Sequence, residues 1–198
     1  HLSFADASPF AIGATSVEDA TITAVRNANL MLSAGFTSAI SFGSTYKIDV
    51  ALREAINGGR LVGPRLLAAG RDLGATASNV DSPGGLSQIA DGPWALRKAV
   101  REQRRDQVDV VKIFIDGEAI NPTNPPGELS FTDEEVYAVV DEAHRRKMRV
   151  ACHARSAEAV KQAVRAGVDF IGHANYLDDE AVEMLARLQD KVCVGPAI

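Results

Sequence analysis

Cysteine is scarce in this chain, long apolar runs are missing, and positive charge nowhere gathers. Two cysteines in 198 residues cannot make the multi-bridge framework of a small secreted scaffold. Cys152 and Cys193 each stand in an apolar, strand-like run and read as reduced core cysteines. No run approaches the ~20 apolar residues that a bilayer span requires, so no membrane segment is expected. The net charge of −5, with no basic cluster interleaved with aromatics, leaves no electrostatic footprint for nucleic acid. No glycine-rich dinucleotide fingerprint follows the first strand-like run. No secretory leader is visible, yet the chain starts at His1 without Met and ends in a strand entering a loop. Both ends read as cut, and a cytoplasmic location is the default expectation.

What the chain has is regular alternation. Apolar strand-like runs begin near residues 36, 65, 108, 149, 169 and 192, and helical periodicity fills most of the intervals. Ser16 caps a helix running to Ala34, with Glu18 and Asp19 in its first turn and Gly35 behind it. Further helices are predicted over Ile48–Ile56, Pro93–Arg105, from Thr132 to Lys147, Ser156–Ala166 and Asp178–Gln189. The charges of Pro93–Arg105 read as a solvated face, and His144 as a surface residue. Repeated strand-then-helix order predicts a parallel sheet, either an open doubly wound sheet or a (β/α)8 barrel. From Gly70 to Gly92 no periodicity appears. A loop that long after a strand would lie over the strand carboxyl ends, as a lid carrying Asp81, Gly84 and Gly85 or as a disordered insertion.

The chemistry gathers around Val150–Ala174, which reads as strand, helix, strand. Arg149–His153 is a short apolar run, Gly167 stops the helix after Ala166, and Phe170–His173 is a second apolar run. Each run ends in histidine. Parallel strands of one βαβ unit end on the same side of the sheet, so His153 and His173 are expected in one crevice, where two imidazoles can hold a metal. A single strand-end histidine is more often only a hydrogen-bonding residue; two on successive strands are harder to dismiss. Cys152, next to His153, points to the opposite strand face. Lys112 sits inside the apolar run Val108–Ile115. An ammonium there is costly without a partner, and burial favours the neutral amine.

With Lys112, His153 and His173 placed, the chain resembles the amidohydrolase superfamily, in particular its imidazolonepropionase-like and Xaa-Pro dipeptidase-like branch. The resemblance rests on A-G-F-T-S-A-I-S-F-G (34–43), G-P-R-L-L-A-A-G-R (63–71), V-D-V-V-K-I-F (108–114), H-A-R-S-A-E-A-V from His153, and A-G-V-D-F-I-G-H-A (166–174). It implies a (β/α)8 barrel of the TIM type, incomplete here: strands two to seven with a remnant of strand one, and residues 1–198 forming one partial catalytic barrel. His1 then matches the second histidine of the family's His-x-His pair. The family's aspartate from strand eight would lie beyond Ile198.

The resemblance further implies a hydrolase of C–N bonds in amides or dipeptides. Two divalent ions, zinc by default with cobalt or manganese as substitutes, would be held by His1, His153, His173 and a carbamate formed from Lys112 and carbon dioxide, giving an activated hydroxide. Arg155 is a candidate for holding a substrate carboxylate or carbonyl, and Tyr176 for hydrogen-bonding the tetrahedral intermediate; a solvated arginine and a partly buried core tyrosine are the plainer readings. Asp116 and Glu118 could orient ligands, although a loop acid facing water is the simpler expectation. The expected partner is a small-molecule substrate, with neither nucleic acid nor membrane; self-association stays open. The alternatives are a one-metal cyclic-amide hydrolase or deaminase, against which Lys112 speaks, and a non-catalytic barrel fragment.

Overall fold

The computed structural model describes residues 1–4, 15–81, 86–118 and 123–196. Along these the chain forms α1 Val17–Ser33, β1 Ser38–Ile40, α2 Ile48–Asn57, β2 Arg65–Leu67, β3 Asp72–Gly74, β4 Ser87–Ile89, α3 Pro93–Arg105, β5 Val110–Phe114, α4 Asp133–Arg145, β6 Arg149–Ser156, α5 Ala157–Ala166, β7 Phe170–Tyr176, α6 Asp179–Ala186 and β8 Cys193–Pro196. The fold is α/β with parallel sheets: β1 pairs with β2, and a second sheet runs β4-β3-β5-β6-β7-β8. Every pairing between these strands is parallel.

The helix ends follow the capping residues. Ser16, Thr132, Ser156 and Asp178 each accept a backbone N–H of the first turn, and Glu135 closes a capping box with Thr132. Gly167 takes the left-handed conformation (φ +87°) that ends α5. The two sheets meet along the run 65–74. On one side Ser41 N donates to Leu67 O, extending the β1–β2 pair. On the other, Asp109 N and Val110 N donate to Ala68 O, and Leu73 registers with Ile113.

Residues 70–92 are not one aperiodic loop. They contain β3 and β4, each three residues long and too short for a period-2 signal to emerge among glycines and serines. Asp81, expected in a lid, accepts from Ala77 N at 2.8 Å; Gly84 and Gly85 lie outside the described residues.

Two apolar layers flank the strands. Val111, Ile113, Cys152 and Ile171 pack toward Val136, Val139, Val160 and Ala163 of the helices. Val110, Ala151 and Phe170 form a small cluster on the opposite face with Ile40 and Phe42. Cys152 is therefore core, its thiol pushed by burial up to about 12. Cys193 is not: it is exposed, because β8 is an edge strand paired only with β7. The charged run of α3 is also more than a solvated face. Arg97 reaches Asp141 at 2.5 Å, and Arg101 reaches Glu142 at 2.9 Å, joining α3 to α4. Among the described residues no helix is long and apolar enough to cross a membrane.

Candidate functional site

Lys112 lies on the small-cluster face of β5. By alternation it shares that face with Val110 and Phe114, and its Nζ stands 5.9 Å from the Phe42 ring centre and 5.2 Å from that of Phe114. It is 1% exposed. The partner that such a buried cation requires is Asp72, whose Oδ2 is 3.7 Å from Nζ. Asp72 is the buried neighbour of Lys112 that the sequence pattern hides. Its signal was present, an acid directly before Leu73 in the continuation of the apolar run 64–69, but the glycine at 70 disguised that continuation as loop.

His153 projects from β6 on the same face, with its ring stacked on Phe114 at 3.8 Å. Its Nε2 donates to the Gly117 carbonyl at 3.2 Å, which leaves Nδ1 with its lone pair. Burial pushes the imidazole down to about 2, helped by the positive charge of Lys112 and by His173. His173 is half-buried and brought down to about 4, again first by burial and then by Arg155 and Lys112. Both rings are neutral at ordinary pH. Their centroids are 4.6 Å apart at 65°, edge to face.

That meeting depends on a local break in the strand. The register pairs His153 with Gly172, and Ala154 with His173. Register partners in a parallel pair share a face, so regular alternation would send His173 to the helix side with Ala154. Instead His173 and Ala174 take positive φ (+85° and +47°), and the β6–β7 register shifts just beyond. Gly172 holds the inward position, where a Cβ would come within 3.0 Å of the Phe42 ring and of the Cys152 carbonyl. Left-handed backbone at non-glycine residues is uncommon and clusters at functional sites.

His1 completes the group from the N-terminal side. Its Nδ1 donates to the Gly43 carbonyl at 2.8 Å, leaving Nε2 available, and its ring stacks on Phe4 at 4.3 Å. Its Cε1 and the carboxylate of Asp72 crowd around the same point, the place that a Cβ on Gly43 would occupy.

The other candidates are differently disposed. Arg155 is half-buried and held: its guanidinium meets Glu118 at 2.6 and 2.9 Å and Asn175 at 2.6 Å. Tyr176 is 55% exposed at the end of β7. Asp116 is not a water-facing loop acid. It is fully buried, accepts from Arg155 N and Ser156 N at 2.9 Å and from Gly127 N at 3.3 Å, and so fastens the end of β6 to the turn after β5.

Among the described residues no three histidine, cysteine, aspartate or glutamate side chains already converge as an ion cage. The donor set nevertheless fits divalent metal. Imidazoles bind metal only when neutral, and the ring orientation is normally fixed by a hydrogen bond from the other nitrogen; His1 and His153 have that bond to a backbone carbonyl. Both oxygens of Asp72 are buried without a hydrogen-bond partner, an arrangement that a cation resolves.

Known proteins are similar to this chain over most of its length. A model of the amidohydrolase family matches residues 2–193. Ochratoxinase of Aspergillus niger is 29% identical, the match covering 78% of this chain and 38% of that protein. The crystal structure of a prolidase complexed with N-methylphosphonate-L-proline superposes with a TM-score of 0.88 at 28% identity, over 100% of this chain and 51% of the other. That of a Xaa-Pro dipeptidase with methionine bound in the active site gives 0.82 at 32% identity, over 92% and 47%. The chain thus spans about half the length of these solved relatives and less of ochratoxinase.

Proposed function

The chain belongs to the amidohydrolase family, and on that premise we propose that the full-length protein is a metal-dependent hydrolase of a C–N bond in an amide or dipeptide. The observation that carries the reading is the pairing of two neutral imidazoles, His153 and His173, at 4.6 Å beside a lysine that has almost no contact with water. The parallel pair β1-β2 and the parallel run β5-β6-β7-β8 support an arc of a (β/α)8 barrel, strands two to seven; residues 1–4, expected as a remnant of strand one, form a turn and no strand.

His153 and His173 would hold one divalent ion, zinc by default; His1 would hold the other, and Lys112, as its carbamate with carbon dioxide, would bridge the two. Such ions supply Lewis acidity and lower the pKa of water toward neutrality. Lys112 is 1% exposed, with its Nζ 5.9 and 5.2 Å from the ring centres of Phe42 and Phe114. Arg155 would orient a substrate carboxylate by exchanging Glu118 for it, since the guanidinium matches either carboxylate in two-point fashion. Tyr176, open to solvent at the strand end, would donate a hydrogen bond to the carbonyl oxygen as it gains charge. The names of the prolidase and Xaa-Pro dipeptidase relatives support a dipeptide among the substrates to try first.

A second reading has one observation in its favour. The 3.7 Å pair of Lys112 with Asp72 suits an ammonium, and a lysine kept as ammonium would leave a one-metal cyclic-amide hydrolase or deaminase. Metal analysis of the full-length protein, with turnover of N-acyl amino acids and Xaa-Pro dipeptides before and after chelation, separates the two. Two ions per chain and chelator-sensitive amide hydrolysis are expected. One ion favours the second reading, and full amide hydrolysis by metal-free protein would remove both.

A further inference from the structure

We infer that Asp72 is a further metal ligand, an anionic oxygen donor that β3 contributes to the ion on the His1–Lys112 side of the site. The inference rests on the metal-dependent reading above. Its first support is the state of the carboxylate itself. Asp72 is 1% exposed, neither oxygen accepts a hydrogen bond, and the nearest cation, Lys112 Nζ, stands at 3.7 Å, too far to donate. Buried carboxylates elsewhere in this chain are fully supplied: Asp49 accepts from Val50, Ala69 and Gly70 N–H groups, and Asp116 accepts from three.

The second support is how the backbone brings it there. Asp49 holds Ala69 N and Gly70 N, and Gly70 turns through positive φ (+65°), so the chain leaves β2 and re-enters the sheet as β3. The register of Leu73 with Ile113 then sets Asp72 beside Lys112. Gly43, itself at φ +118°, leaves the space in which the Asp72 carboxylate and the His1 ring approach each other; a Cβ there would collide with both. A left-handed glycine, a pinned kink and an orphaned carboxylate converge on one spot that also holds a histidine with its Nε2 free.

Charge gives the third support. Once Lys112 is a carbamate, Asp72 loses its cation and faces a second anion in a water-poor site. Like charges at such range disfavour each other's ionised form. A divalent ion bound by both removes the conflict, whereas a mere counterion role for Asp72 ends with the modification.

The test uses the full-length wild type, Asp72→Asn and Asp72→Glu, each loaded with Co(II) and analysed for metal content and visible absorption. We expect the asparagine variant to hold one ion of two, with the second weakened beyond the roughly 10–100-fold that outer-sphere changes cause, and to lose one component of the Co(II) spectrum. The glutamate variant recovers part of both. Two ions with an unchanged spectrum in Asp72→Asn would overturn the inference alone and leave the metal-dependent reading standing. A wild type that binds no ion overturns both. If the variants do not fold, anomalous diffraction from Zn-loaded wild-type crystals decides. An Asp72 oxygen about 2.0–2.2 Å from an ion sustains the inference, and one beyond ligand distance ends it.

Discussion

His153 and His173 meet edge to face at 4.6 Å and 65°, and Phe114 lies flat on the other side of the His153 ring at 3.8 Å. His153 is thus packed between Phe114 and His173, while His173, set on left-handed backbone (φ +85°), stays partly open to water.

The first consequence concerns acid stability. His153 titrates near 2 when folded and near 6.5 when unfolded. A folded value below the unfolded one means that stability is fully present above about pH 6.5 and is lost as pH falls toward 2. The slope is about 1.4 kcal/mol per pH unit for this one group. His173 adds to it in the same direction from about 6.5 to 4, more weakly because it is partly open to water. Asp72, raised to about 6 by burial, opposes both between about 6 and 4. Urea unfolding of the metal-free protein from pH 7.5 to 4.5 should show falling stability, and His153→Gln should flatten that fall by about the one-proton slope. Parallel curves for the two proteins would contradict it.

Lys112 decides between the one-ion and two-ion sites. Lys112→Ala should release at least one of two ions and lower turnover by about 10³-fold or more, since Lewis-acid activation contributes several kcal/mol. A short carboxylic acid with excess metal should restore part of that, because its oxygens can replace those of a carbamate. Lys112→Arg should restore none, being a permanent cation. Full metal content and near-normal turnover in Lys112→Met would reduce Lys112 to a packed core residue.

Asp116 is expected to matter through the backbone. Asp116→Ala leaves Arg155 N, Ser156 N and Gly127 N without their acceptor, at about 1–3 kcal/mol for a buried orphaned donor. Thermal or urea denaturation should report a loss of about 3 kcal/mol, and the misplaced end of β6 should weaken metal binding as well. A loss under about 0.5 kcal/mol would show that water takes over these donors.

Arg155 offers a test by substrate series. Arg155→Met should raise KM for substrates with a free carboxylate about 10–100-fold and leave those lacking one nearly unaffected, the range expected for loss of a charge-assisted contact. Equal effects on both series would assign Arg155 to its structural pairing with Glu118 and Asn175.

Much was determined by the sequence alone, because it is encoded within a turn or two of chain. Helix caps at Ser16, Thr132, Ser156 and Asp178 depend on a side chain reaching an N–H three residues on. The strands that carry Lys112, His153 and His173 are apolar on both faces because both faces are covered. The tertiary structure decided what depends on register between distant segments and on where the backbone departs from regular alternation. No local pattern announces that Asp72 will stand beside Lys112, 40 positions later, since that follows from the kink at Gly70 and the pairing of Leu73 with Ile113. Nor does any pattern announce that Asp116 will be buried under three N–H groups, or that Cys193 will lie on an exposed edge strand. His173 shows the division most plainly. The sequence placed it at a strand end, but only the left-handed backbone at His173 and Ala174, stabilised by its packed surroundings, turns the ring from the helix side into the crevice with His153.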